Sequence, residues 1–340
     1  MKALSARRAA AVLAALCGVL AACFFVGLAA GPSGVGPRRV LSVLFGGERS
    51  GPAADIVWRV RLPRVALGAL VGAALSGSGV LFQALLRNPL ADPFVLGVSG
   101  GAALGGIAVL ALGSSLGIGY GAVPAAAFAG ALGATALLYA VAGARARFSP
   151  TQLLLTGVVF NAFASAAIVF LASLAGMAQG TSIFLWLIGS LASARPDVVG
   201  WVALFATGGL ACAMFLARSL NLLALGVESA QQLGVEVERD QRLLLLATSL
   251  MVGAAVAAAG LIGFVGLIIP HLLRLVVGPD HRLLVPAAAL GGGAFLVLCD
   301  TLARSLLGGP ELPVGALTAL VGGPVFLWML RRQGRGLVAP

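Results

Sequence analysis

The sequence predicts an all-α polytopic membrane protein of about ten transmembrane helices, in which spans 2–5 and 7–10 form an inverted repeat. Three observations carry this. The 340 residues are 60% hydrophobic and 10% charged, whereas a soluble domain carries about 25% charged residues. The apolar residues fall in runs of roughly 20, the length that crosses a bilayer core as a helix. Residues of the first half also recur in the second at a fixed offset. The 48 glycines suit close helix contacts in lipid. Residues 1–340 read as one transmembrane domain, with 219–242 as a cytoplasmic segment inside it.

The first run, Ala9–Ala30, is uncharged and follows Lys2, Arg7 and Arg8. Leu20-Ala21-Ala22-Cys23 looks like a lipoprotein cleavage site. The run outlasts the roughly 7–15-residue core of a signal peptide and continues past Cys23, so it is expected to be the first span. The next candidates are Val65–Leu86, Phe94–Leu116, Tyr120–Ala142, Leu153–Leu174 and Val198–Ala217. After the cytoplasmic segment come Leu243–Leu261, Phe264–Val277, Leu283–Leu302 and Leu312–Leu330. The eighth is short and holds Pro270, His271 and Arg274. Ile183–Leu191 is too short to span and reads as a partial helix at or dipping into the surface.

Charge sets the orientation. With the N-terminus inside, the inner side holds fourteen basic residues of the 22: Lys2, Arg7, Arg8, Arg87, Arg145, Arg147, Arg218, Arg239, Arg242, Arg274, Arg282, Arg331, Arg332 and Arg335. The outer side holds eight: Arg38, Arg39, Arg49, Arg59, Arg61, Arg64, Arg195 and Arg304. The bias puts both termini in the cytoplasm. Six of the outer eight cluster in the first loop and at the start of the second span. The net charge of +11 is therefore spread over loops. It builds no basic helix face with interleaved aromatics, which excludes a nucleic-acid partner.

The repeat is visible as Val71-Gly72-Ala73-Ala74 and Val252-Gly253-Ala254-Ala255, a shift of 181. The same shift takes Gly79 to Gly260, Pro89 to Pro270 and Gly97 to Gly278. Val123-Pro124-Ala125-Ala126-Ala127 recurs at Val285–Ala289 with a shorter offset. Spans 2 and 7 lie five apart, so the halves run in opposite directions, as in many transporters. The polar stretch Leu85–Gly97, "LLRNPLADPFVLG", falls between two uncharged runs. Pro89 and Pro93 break helix there, and Asn88 and Asp92 can satisfy the freed backbone. A plain tight turn and a helix–helix junction repeated at Pro270 both fit.

Enzymatic chemistry is thin. His271 and His281 lack metal-ligand spacing, and Cys17, Cys23, Cys212 and Cys299 form no close pair, so no metal site is expected. Asp300 is the only acid within a span, and Arg304 follows on the same helix face. A nucleotide-binding loop needs a lysine at the phosphates, and the one lysine is Lys2. If ATP drives this chain, the ATPase is another polypeptide. The segment "SLNLLALGVESAQQLGVEVERDQR" (Ser219–Arg242) lies on the cytoplasmic side. Between Leu225-Gly226 and Leu233-Gly234 a short helix can form, with Glu228 near its start, Gln232 within it and Gly234 as its stop. Ala230 and Leu233 are expected on one face. That face suits either a groove on a partner or the lipid surface.

Together these stretches resemble the permease subunits of type II ABC importers, the family that takes up iron–siderophores, haem and vitamin B12. The resemblance is carried by Arg61-Leu62-Pro63-Arg64, "NPLADPFVLGVSGGAALG" (Asn88–Gly105), "LNLLALGVESAQQLGV" (Leu220–Val235), "GFVGLIIPHLLR" (Gly263–Arg274) and "DTLARSLLGGPELPVGALTALVGGPVFLWML" (Asp300–Leu330). It implies ten helices per subunit and a dimer in the bacterial cytoplasmic (inner) membrane. Two ATPase subunits, carrying the ATP and magnesium, are implied below, and a substrate-binding protein above. It implies that Ala224–Val235 enters a groove on the ATPase. It implies that Arg61, Arg64 and Arg304 receive acidic residues of the binding protein as exposed ion pairs, each worth about 0.2–1 kcal/mol. It also suggests an inner gate near Pro150 and Thr151, although Pro150 stands where relatives often carry small hydroxyl residues. Asn161 and Gln83 are polar residues within spans, facing either the path or a neighbouring helix. The expected cargo is an iron chelate, with cobalamin as the alternative. An ion-coupled carrier also uses inverted repeats, but it would keep a titratable group deep in the bundle, and Asp300 lies near an outer end.

Overall fold

The computed structural model describes residues 6–48, 50–142, 150–306 and 311–334. Lys2, Arg49, Arg145, Arg147 and Arg335 of the charge tally lie outside the described residues. The described chain is helical throughout. In order come α1 (Ala6–Ala29), α2 (Pro37–Leu44), α3 (Pro52–Asp55), α4 (Leu62–Leu85), α5 (Val98–Leu112), α6 (Val123–Ala142) and α7 (Pro150–Ile188). Then follow α8 (Pro196–Phe215), α9 (Ala217–Leu223), α10 (Val227–Gln232), α11 (Val237–Ala259), α12 (Val265–Val277), α13 (His281–Ser305) and α14 (Val314–Gly334). A π-turn, Ile56–Arg61, joins α3 to α4 without a break.

Seven helical stretches are long and apolar enough to cross a membrane. The predicted third, eighth and tenth spans are the shorter helices Val98–Leu112, Val265–Val277 and Val314–Met329, so all ten predicted positions are helical. The third span is shorter than expected because the polar stretch runs on to Gly97, whose φ of +87° places a left-handed residue before α5. Phe264, at φ +68°, stands in the same place before α12. α7 breaks at Gly176, with φ +73°, and Gln179–Ile188 continues as the expected short helix.

α4 is the centre of the bundle. Leu67, Val71, Ala74, Leu75, Val80, Leu81 and Phe82 are buried, packed against α8, α11, α12 and α13. Glycine makes the closest contacts possible. A Cβ on Gly72 would lie 2.2 Å from the Gly292 oxygen of α13, and one on Gly79 would lie 1.8 Å from the Gly266 oxygen of α12. The second contact has a cause in the sequence. Pro270 sits inside α12 and has no N–H to bond the carbonyl four residues back. That carbonyl is Gly266, and it turns to the α4 backbone, where only a glycine leaves room.

The contacts obey the inverted repeat. Exchanging α4, α5, α6 and α7 for α11, α12, α13 and α14 converts each packed pair into another. α4–α13 becomes α11–α6, α5–α6 becomes α12–α13, α5–α7 becomes α12–α14, and α4–α12 becomes α11–α5. One detail of the repeat is corrected. Pro89 lies in the loop after α4, whereas Pro270 lies within α12, so the two are not equivalent. The loop before α5 (86–97) is longer than the one before α12 (260–264), and the offset of 181 holds for α4 and α11 only. The shared left-handed entry at Gly97 and Phe264 marks the matching point.

Exposed apolar side chains complete the picture. Leu155, Val159, Phe163, Val169 and Phe170 line α7, and Leu320, Leu327 and Trp328 line α14, each more than half exposed. Only Gly27 and Leu28 of α1 are buried. Such surfaces are stable against lipid or another subunit.

Candidate functional site

The cytoplasmic segment folds as two short helices. α9 is anchored by Leu220 and Leu223, both buried in the main core, and touches α4, α8, α11 and α13. Gly226, at φ +124°, turns the chain into α10. Glu228, in the first turn, and Gln232 are exposed. Gly234, at φ +83°, turns the chain out again. Leu225 is 67% and Leu233 58% exposed, while Ala230 is fully buried. The expectation that Ala230 and Leu233 share a face is corrected. Leu233 follows the last helical residue as the C-cap, so it points out while Ala230 packs inward. Two leucines thus stand free at the ends of α10. Beside them a groove of about 400 Å³ is lined by Phe215, Leu222, Leu233, Glu236 and Arg239.

The stretch Arg87–Gly97 is a built corner. Arg87 adopts φ +48°. Asn88 Oδ1 accepts from the Leu90 N–H at 2.9 Å and Asp92 Oδ1 from the Phe94 N–H at 2.8 Å. Asn161 on α7 donates to the Phe94 and Val95 carbonyls at 2.6 and 3.1 Å, so its amide locks the corner. The Pro89 carbonyl accepts from the His271 ring, and Pro93 packs near Gly266. The junction reading is the one realised, built from both halves rather than repeated in each. Gln83 donates to the Leu267 carbonyl and accepts from Arg274 at 2.8 Å, so it ties α4 to α12. Burial pushes the Asp92 carboxyl up to about 6, against the lowering effect of the Phe94 N–H. Pro150 opens α7, and Thr151 is exposed beside it.

At the opposite end of the bundle the arginine cluster turns inward. Arg61, Arg64 and Arg304 are 3%, 9% and 6% exposed. Arg61 donates to the Leu28 and Val35 carbonyls and to Ser33 Oγ. Arg64 grips Asp300 with Nε and Nη2 at 3.1 and 2.9 Å and reaches Glu311 at 2.8 Å. Arg304 pairs with Asp300 at 3.3 Å and donates to the Gly27 and Ala30 carbonyls. The expectation of exposed ion pairs at these three positions is corrected, because their donors are used within the chain. Arg38, Arg59 and Arg195 are the exposed members of this face. Near Arg195 a cavity of about 920 Å³ opens among α6, α8 and α11, with Tyr120, Trp186 and Trp201 in its wall.

The sequence reading missed Glu311 and the polar contact of Asn221 with Asp280 and His281. Asn221 was visible as a lone amide in a leucine-rich stretch, but its partner lies about 60 residues on.

A ten-position helical bundle with an inverted repeat and an exposed helix pair between its halves defines a membrane permease subunit of the type II ABC importer class. The chain belongs to the FecCD transport family, which matches residues 19–332. It is 47% identical to the cobalamin import system permease protein BtuC of Halobacterium salinarum, over 84% of this chain and 76% of that one. It is 42% identical to the hemin transport system permease protein HmuU of Yersinia pestis, over 82% and 85%. A solved inward-facing conformation assigned to the metal-chelate type of ABC transporter superposes with a TM-score of 0.82, at 31% identity, covering 95% of this chain and 99% of that one. These relatives are transport subunits, and so is this chain; it is not an enzyme.

Proposed function

We propose that two copies of this chain form the membrane path of an importer for a metal chelate in the bacterial cytoplasmic (inner) membrane, with both termini in the cytoplasm. Two ATPase subunits, holding ATP and magnesium, take the α9–α10 side. An extracytoplasmic binding protein takes the opposite side. The observation that carries this reading is α10, a short helix flanked by Leu225 and Leu233, two exposed leucines on an otherwise polar segment. Buried apolar surface is what a groove on a partner supplies. The apolar faces of α7 and α14 support a second copy, and that of α1 supports lipid. Docking of the binding protein falls to Arg38, Arg59 and Arg195, where exposed charges speed and orient encounter. Arg61, Arg64 and Arg304 shape the surface beneath them. Pro150 and Thr151 narrow the inner exit.

The cargo we propose is an iron chelate, haem or an iron–siderophore. The relative named for hemin transport supports it. The relative named for cobalamin import favours vitamin B12 as the second reading. Proteoliposomes holding the chain with its ATPase and binding protein should accumulate labelled haem, a ferric siderophore or cyanocobalamin only with ATP. Accumulation by this chain alone, without nucleotide, would refute the reading. A cysteine at Gln232 should crosslink to the ATPase; its labelling from outside would overturn the orientation.

A further inference from the structure

α9 meets the rest of the bundle through apolar packing and one set of directional bonds. Packing by Leu220 and Leu223 fixes a distance but allows sliding. The directional bonds come from Asn221. Its Nδ2 donates to Asp280 Oδ1 at 2.8 Å. Its Oδ1 accepts the His281 backbone N–H at 2.9 Å and lies 2.7 Å from His281 Nδ1. An amide oxygen only accepts, so the ring proton is assigned to Nδ1. His281 is 5% exposed, and its Nε2 has no partner among the described residues. A buried nitrogen left unpaired is costly, so the ring is held here by its other bonds. Asp280 also caps α13 by accepting the Arg282 N–H at 3.0 Å. Its carboxyl would be raised by burial, but the Asn221 amide, the Arg282 N–H and nearby positive charge hold it below its ordinary value. α13 runs from this cap to Asp300 and Arg304 at the far end, packed along α4.

We propose that Asn221, Asp280 and His281 form the joint that carries displacement of α10 into α13. The amide reads donor on one side and acceptor on the other, so it fixes the register of α9 against the start of a helix that crosses the bundle. These are positioning residues; none touches cargo or nucleotide. The proposal rests on the importer reading above.

The test uses the complex with its ATPase in nanodiscs, with Cys17, Cys23, Cys212 and Cys299 replaced by alanine and single cysteines placed at Phe163 or Leu320, exposed sites on α7 and α14. Two quantities are read: ATP hydrolysis and the nucleotide-dependent change in maleimide labelling. N221A should leave hydrolysis within about twofold and cut the labelling change at least fivefold. N221D sets two carboxylates face to face and should do the same. N221D/D280N exchanges donor and acceptor while an asparagine still caps α13, and it should restore the labelling change to within about twofold of the parent. A merely structural role would follow thermal stability and would not be rescued by the exchange. Parent-like labelling changes in both single variants overturn the joint. So does a double variant no better than N221D, the comparison that decides if N221A fails to assemble. A parent complex with no nucleotide-dependent change refutes the importer reading instead.

Discussion

Removing Asp300 isolates the most concentrated electrostatics in the molecule. Its carboxylate lies 2.9 Å from Arg64 Nη2 and 3.3 Å from Arg304 Nε, with side-chain exposures of 2%, 11% and 4%. At an effective dielectric of about 20 each contact carries a gross attraction of roughly 5–6 kcal/mol. Most of that offsets the cost of burying the three charges. Truncating one partner of a buried pair leaves the other charge uncompensated, and the net loss is about 3–5 kcal/mol. Here Arg64 retains Glu311, and Arg304 retains two carbonyls of α1, so Asp300→Ala should fall at the lower end, about 3 kcal/mol. Denaturant titration in detergent micelles, followed by tryptophan fluorescence, reads this directly. Replacing exposed Asp197, which pairs with Arg195 at the surface, is the control and should cost less than about 1 kcal/mol. If D300A is no more harmful than the control, the cluster does not stabilise the outer end and the reasoning is wrong.

Gly79→Ala should separate α4 from α12, because its Cβ meets a backbone carbonyl at 1.8 Å. A loss of about 1–3 kcal/mol is expected, while Gly133→Ala, with nothing nearby, should be neutral or slightly stabilising; equal effects in unfolding titrations would refute the close contact. Asp92 titrates near 6 when folded, against a model value of 3.8, so the native state binds its proton more tightly. Stability should therefore fall by about 3 kcal/mol as pH rises through 3.8 to 6 and beyond. Asp92→Asn should flatten that window, and an unchanged pH profile would remove Asp92 as its source. Leu225→Asp and Leu233→Asp change exposed side chains, so they should leave the thermal midpoint within a degree or two while weakening ATPase co-purification at least tenfold. Undiminished co-purification would place the ATPase contact elsewhere.

The helices were legible because apolar runs are dictated by the bilayer, and α1, α8 and α13 begin and end within a few residues of where the runs do. The cytoplasmic segment was legible from its paired Leu-Gly steps, since glycine alone adopts the positive φ found at Gly226 and Gly234. What failed to show was distance in the third dimension. Pro89 and Pro270 share an offset, yet one lies in a loop and the other in a helix, because loop lengths differ between the halves. Arg61, Arg64 and Arg304 read as free charges, because nothing local reveals that carbonyls of α1 and a carboxylate on α13 converge on them. Asn161 and Gln83 were open between path and packing, and only their partners, two corner carbonyls and Arg274, decide it.

The last turn of a helix exposes carbonyls that its own backbone cannot use. In α1 those of Gly27, Leu28 and Ala30 are taken by Arg304 and Arg61. During synthesis the first span is therefore made long before its far end can be closed. Arg61 arrives with the second span, but Arg304 emerges only when the ninth is complete. Until then the earliest piece of the protein keeps an unfinished terminus, and its final seating waits on one of the latest.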